Sequence, residues 1–166
     1  MMSILLLLVA AAVASDPCAE ASACRRVDFI STTDREGQPT RLPEPGLQPW
    51  IIENNLMLHP GEAVIVRLVE QGDGYVLTAP RTSGEPTAGE IRFSLASGQR
   101  SSTLLVIENR LPEWLDYMAV MNVGNRGMKT SVCSLLPMKF NLERWPHGMT
   151  ELALSNFKKA ETHSCK

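Results

Sequence analysis

The clearest pattern along the chain is alternation with a period of two. From Ala63 to Val69, Val64, Val66 and Leu68 form one wholly apolar face, and Ala63, Ile65, Arg67 and Val69 form a mixed one. That spacing predicts a strand with one side buried, because successive side chains point to opposite faces of a sheet. Ile91, Phe93 and Leu95 alternate with Arg92, Ser94 and Ala96 in the same way. Leu115, Tyr117, Ala119, Met121 and Val123 put five residues on one face of another strand. Leu104 to Ile107 is a continuous apolar run, as expected of a strand in the middle of a sheet.

Turn signals separate these segments. Gly72-Asp73-Gly74 and Gly124-Asn125-Arg126-Gly127 predict hairpins, since Gly and Asn tolerate the positive φ that tight hairpin turns require. Asn54-Asn55 and His59-Pro60-Gly61-Glu62 predict two more turns. Arg25 to Thr32, Tyr75 to Leu77, Met128 to Leu136 and Leu152 to Phe157 supply further short strands, and Trp50 to Ile52 and Leu56 to Leu58 are short apolar runs. Two stretches read as loops: 33–49, with Pro39, Pro43, Pro45, Gly46 and Pro49 and at most a short strand, and 137–148, with Trp145 and Pro146. No segment of useful length has the helical period. The expectation is an all-β domain over 25–157, an immunoglobulin-like antiparallel sandwich of about 7–9 short strands. Residues 158–166 read as a polar tail.

The start of the chain changes the setting. Ile4 to Val13 is an unbroken apolar run followed by Ala14, Ser15, Asp16 and Pro17. It is shorter than the roughly 20 residues a membrane span needs, and Ala12 and Ala14 satisfy the small-residue rule for cleavage after Ala14 or Ser15. Residues 1–15 therefore read as a signal peptide and 16–24 as an N-terminal segment. The expected location is periplasmic or secreted, with no transmembrane span. Cys24 follows Ala21-Ser22-Ala23 as a lipid-modified cysteine would, but it lies well beyond the apolar run, with Asp16 and Glu20 between.

The cysteines agree with export. An even count, Cys18, Cys24, Cys133 and Cys165, reads as two disulfides. Pairing Cys18 with Cys24 and Cys133 with Cys165 closes one short and one longer loop; the alternative ties Cys18 or Cys24 to Cys165. The spacing does not match the closely spaced pairs that zinc prefers.

Charge and chemistry exclude more than they assign. The net charge is −2 and there is no basic stripe, which argues against nucleic acid. No G-x-S-x-G elbow, H-E-x-x-H helix or clustered pair of carboxylates marks a catalytic site, so no enzyme and no cofactor are expected. His147-Gly148-Met149 places an imidazole and a thioether on one side of an extended segment, a pair suited to Cu(I). The pair resembles part of the motif of periplasmic copper chaperones with a cupredoxin-like sandwich, although the upstream His-Met dipeptide of those proteins is missing. Trp50, Trp114 and Trp145 stand beside Pro or charged residues, as Pro49-Trp50, Glu113-Trp114 and Trp145-Pro146. Tryptophans at loop ends can anchor a partner or stack on a sugar.

Four segments resemble small exported proteins of Gram-negative bacteria: Leu105-Val106-Ile107-Glu108-Asn109, Leu115-Asp116-Tyr117-Met118-Ala119, Thr130-Ser131-Val132-Cys133 and Glu143-Arg144-Trp145-Pro146. Leu58-His59-Pro60-Gly61-Glu62 before a β-run is similar to immunoglobulin-like bacterial domains. These resemblances imply a periplasmic sandwich and transfer no functional residue. The expected role is an exported, non-catalytic envelope domain that binds an envelope protein or a glycan or is purely structural; a copper-binding protein using His147 and Met149 is the alternative.

Overall fold

The computed structural model describes residues 18, 20–33, 38–98, 102–123 and 126–166. The signal-peptide expectation for 1–15 and the tip of the hairpin at 124–125 fall outside them. Among the described residues, apart from a 3₁₀ turn at Ala21–Ala23, the regular structure is all strand. The strands are β1 (Cys24–Thr33), β2 (Pro39–Pro49), β3 (Ile51–Ile52), β4 (Asn55–Leu58), β5 (Ala63–Gln71), β6 (Gly74–Arg81), β7 (Glu90–Ser97), β8 (Thr103–Asn109), β9 (Trp114–Val123), β10 (Arg126–Thr130), β11 (Phe140–Trp145) and β12 (Glu151–Ala160). They form three antiparallel sheets: a ribbon β1-β2, a sheet ordered β10-β9-β12-β4-β3 and a sheet ordered β11-β8-β7-β5-β6.

The alternation read from the sequence builds the core. Val64, Val66, Leu68, Ile91, Phe93, Leu95, Leu105 and Ile107 from one five-stranded sheet meet Leu56, Leu58, Leu115, Tyr117, Ala119, Met121, Leu152, Leu154 and Phe157 from the other in a single buried cluster. Phe157 lies at its centre, with its ring 5.9 Å from Phe93 across the sheets and stacked at 5.9 Å on Tyr117 beside it. The turns follow their chemistry. Glu53 and Asn54, both at positive φ, join β3 to β4. Gly72 at φ 63° begins the two-residue turn between β5 and β6.

Three expectations change. The described residues form twelve strands, above the 7–9 expected, because the short apolar runs at 50–52 and 56–58 form β3 and β4 and both stretches read as loops contain a strand. The stretch read as a loop at 33–49 contains β2, which pairs with β1 alone. Proline lacks an N–H and is excluded from central strands, but an exposed ribbon edge tolerates it. A register shift between Val27 and Phe29 takes up the extra residues around Pro43–Gly46. The stretch read as a loop at 137–148 contains β11. The last strand also runs on to Ala160, into the segment read as tail, through a second register shift at Ser155–Lys158 with Asn156 at φ 54°.

Buried charge links one sheet together. Glu90, at the start of β7, is 6% exposed. Its carboxylate accepts hydrogen bonds from Thr87 N (2.8 Å) and Thr87 Oγ1 (2.9 Å), and pairs with Arg81 of β6 (2.7 Å) and Arg67 of β5 (3.2 Å). Burial alone would push this carboxyl up, but the Thr87 and Arg81 contacts outweigh it and hold the pKa at about 2, against an ordinary 4.5. A carboxyl whose folded pKa is depressed stabilises the fold fully above its unfolded pKa, and that contribution is lost as the pH falls through the folded value. Stability is therefore expected to fall between about pH 4.5 and 2 by about 2–3 kcal/mol from this group. A pH series of denaturant midpoints for wild type and Glu90→Gln checks this; the variant loses that part of the acid dependence.

Candidate functional site

The residues singled out from the sequence do not gather into one site. Trp50 and Trp145 are 4% and 5% exposed and belong to the core. The guanidinium of Arg25 lies 4.3 Å above the Trp50 ring. Trp114 is half-buried, with its ring 5.6 Å from that of His163. The three indoles therefore present no shared exposed surface. Met149 is 1% exposed and packs in the same core. The His147 carbonyl accepts a hydrogen bond from Thr103 Oγ1 (3.0 Å), while its buried Nε2 has no hydrogen-bond partner. His59 is buried and is held by the Thr150 carbonyl (2.9 Å) and the Gln48 side chain (2.8 Å), as structural histidines are.

What the fold does gather is a groove of about 300 Å³ along the free edge of β11. Among the described residues β11 pairs only with β8, so its outer edge has no strand partner. The groove is lined by Leu136, Phe140, Asn141, Leu142 and Glu143 on the β11 side and by Cys133, Ser134 and His163 towards the C-terminal tail. Phe140 and Leu142 are 64% and 67% exposed, and Leu136 and Met138 beside them are exposed too. In register, Leu142 lies next to Val106 and Arg144 next to Leu104 on β8, both half-buried. An apolar stripe thus continues from the edge onto the outer face of the sheet. Contiguous exposed apolar surface of this kind marks interaction sites on soluble domains.

The other sheet edges are treated differently. β10 carries exposed Arg126 and Lys129. β3 has only two residues. The edge of β6 contains Pro80 and is capped by Asn54, whose side chain donates to the Tyr75 carbonyl (2.9 Å) and accepts from Leu77 N (2.8 Å). Short length, charge, proline and capping are the usual protections against edge pairing. On its exposed face β11 carries Arg144 beside the apolar Phe140 and Leu142.

The opposite wall is polar and tied down. Both disulfides are present, Cys18–Cys24 and Cys133–Cys165. Around the second, residues 164–166 pair with 132–134: Val132 N to Lys166 O (3.1 Å), Lys166 N to Val132 O (2.9 Å) and Ser134 N to Ser164 O (2.8 Å). Asp116 anchors this wall by accepting from Ser134 Oγ (2.5 Å) and pairing with Lys166. Burial pushes its carboxyl up, but the Lys166 and Ser134 contacts win and hold it below the ordinary range. Glu143 accepts from Cys133 N (2.8 Å) and from the buried Tyr117 hydroxyl (3.5 Å). Burial pushes both Glu143 and Tyr117 up.

The sequence reading missed Phe140, Leu142, Glu143 and His163. One signal was present: Phe140, Leu142 and Arg144 alternate with Asn141, Glu143 and Trp145. The described chain is thus an all-β protein of two five-stranded sheets and a ribbon, stapled by two disulfides, with one open apolar edge. Comparison of the chain with protein-family models, curated proteins and solved structures finds no match. No helix among the described residues is long and apolar enough to cross a membrane.

Proposed function

We propose that the chain is an exported, non-catalytic envelope domain with immunoglobulin-like topology, and that it binds a partner protein by accepting an extended segment along β11. The observation that carries this reading is the unpartnered β11 edge with Phe140 and Leu142 exposed beside a groove. Strand addition draws affinity from main-chain hydrogen bonds and specificity from alternate side chains. A segment with apolar residues at every second position fits the stripe of Phe140, Leu142 and Val106. A donor side chain fits opposite Glu143, the one carboxylate lining the groove. Export is supported by the two disulfides, which persist in oxidising compartments, and by the apolar run ahead of Ala14-Ser15. The buried positions of Trp50 and Trp145 favour a protein partner over a glycan, whose rings need an exposed aromatic platform.

Selection of a random peptide library on the purified mature protein tests the binding mode. The expected outcome is enrichment of alternating apolar sequences that slow amide exchange along β11. Their binding is expected to fall at least about tenfold in Phe140→Asp/Leu142→Lys, the effect of losing central anchor residues. Equal binding to wild type and variant, or protection confined to another strand, would contradict it.

A further inference from the structure

We propose that reduction of the Cys133–Cys165 disulfide turns the tail wall of the groove into a zinc site whose ligands are the two thiolates and the His163 imidazole. Cys133 Sγ, Cys165 Sγ and a ring nitrogen of His163 all lie within 4.8 Å of one another, and no other such group of His, Cys, Asp or Glu occurs among the described residues. Zinc binds thiolate sulfur at about 2.3 Å and imidazole nitrogen at about 2.0–2.1 Å, so tetrahedral ligand atoms sit roughly 3.3–3.8 Å apart. The cluster needs only side-chain adjustment to reach that spacing. Sequence spacing argued against zinc because no closely spaced cysteine pair exists. The fold removes that objection by bringing 133 beside 163–165.

The protein holds these ligands together by more than the S–S bond. Cys133 and Cys165 face each other as a cross-strand pair, with Cα atoms 3.9 Å apart. The Val132–Lys166 and Ser134–Ser164 hydrogen bonds on either side do not involve sulfur. The Lys166–Asp116 ion pair and the Trp114–His163 ring contact add two further attachments. Opening the disulfide therefore leaves two thiols and an imidazole in register on a surface where Cys165 and His163 are exposed to solvent and ion. The chemistry balances in two steps. A dithiol reductant takes the disulfide bond and is itself oxidised to a disulfide, leaving Cys133 and Cys165 as thiols. Zinc then binds both sulfurs and releases their two protons. Three protein ligands leave a fourth position open towards the groove. Cys18–Cys24 has no comparable histidine and serves as the internal control.

The experiment is zinc titration of the full-length mature protein, oxidised and reduced, with near-UV circular dichroism followed throughout. Reduced wild type and Cys18→Ser/Cys24→Ser are expected to bind one zinc per chain with the fold retained. Oxidised wild type and reduced Cys133→Ser/Cys165→Ser are expected to bind none. Reduced His163→Ala, which folds with both disulfides before reduction, is expected to bind at least about tenfold more weakly. Failure of reduced, folded wild type to bind zinc would overturn the proposal. So would uptake that accompanies unfolding, or an affinity unchanged in His163→Ala.

Discussion

Phe157→Ala is expected to cost about 3–5 kcal/mol, the range for deleting a fully buried phenylalanine from a packed core. The reason lies in the backbone as much as in the ring. Along β12, Leu152 and Leu154 point inward at a spacing of two. Unbroken alternation would next turn Asn156 inward and Phe157 outward. The register shift between Ser155 and Lys158, with Asn156 at φ 54°, moves the phase by one residue and aims Phe157 at the core instead. Its ring then touches both sheets, Phe93 on one and Tyr117 on the other. Truncation opens a cavity between the sheets that neither can fill alone. Denaturant unfolding measures the loss. Phe140→Ala is the matched control: its ring is 64% exposed, and it is expected to shift stability by no more than about 0.5 kcal/mol. Similar losses at the two positions would contradict this view of the core.

Removing the Cys133–Cys165 disulfide as a serine pair is expected to cost about 4 kcal/mol, against about 2 kcal/mol for Cys18–Cys24. The difference comes from loop length in the unfolded chain. The first bridge spans 32 residues and the second 6, and the loop-closure entropy removed from the unfolded state grows with the logarithm of that number. The bridge lies between the backbone hydrogen bonds that join 164–166 to 132–134; its loss is expected to leave that pairing formed and to speed amide exchange most at Lys166 and Ser164. Equal destabilisation by the two serine pairs would show that native-state contacts, rather than loop entropy, set their contributions.

These effects show which parts of the fold the sequence could reveal. The strands that build the core were legible because each carries apolar residues on one face: Val64, Val66 and Leu68, then Ile91, Phe93 and Leu95, then Leu115, Tyr117, Ala119 and Met121 are buried as their alternation required, whereas Val123 at its strand end is exposed and Ile65 on the mixed face is buried. The hairpin signal at Gly72 and the turn signal at Asn54 mark real turns, and β9 and β10 pair on either side of the second hairpin signal at 124–127. β2 was hidden because proline counts against a strand, and only its place in an exposed ribbon makes proline harmless. β11 was hidden for the opposite reason. Its alternation is intact, but the apolar residues Phe140 and Leu142 face solvent while Asn141 and Glu143 are half-buried and accept from Leu136 N and Cys133 N. An inverted pattern looks like no strand at all when strands are sought by their buried faces. That inversion is what makes β11 the candidate site. The indoles of Trp50 and Trp145, attractive in sequence because of their Pro neighbours, are absorbed by the core, as large aromatics usually are. His163 stands two residues from Cys165 in sequence, but Cys133 joins the pair only because the tail folds back beside it.

Export of the chain as a doubly bridged domain is the reading proposed above. Intact mass and disulfide mapping of the protein purified after expression of the full sequence test it most directly. The account predicts a mature chain beginning at Ser15 or Asp16, with Cys18 linked to Cys24 and Cys133 to Cys165. A chain that keeps its first fifteen residues and four free thiols would contradict it.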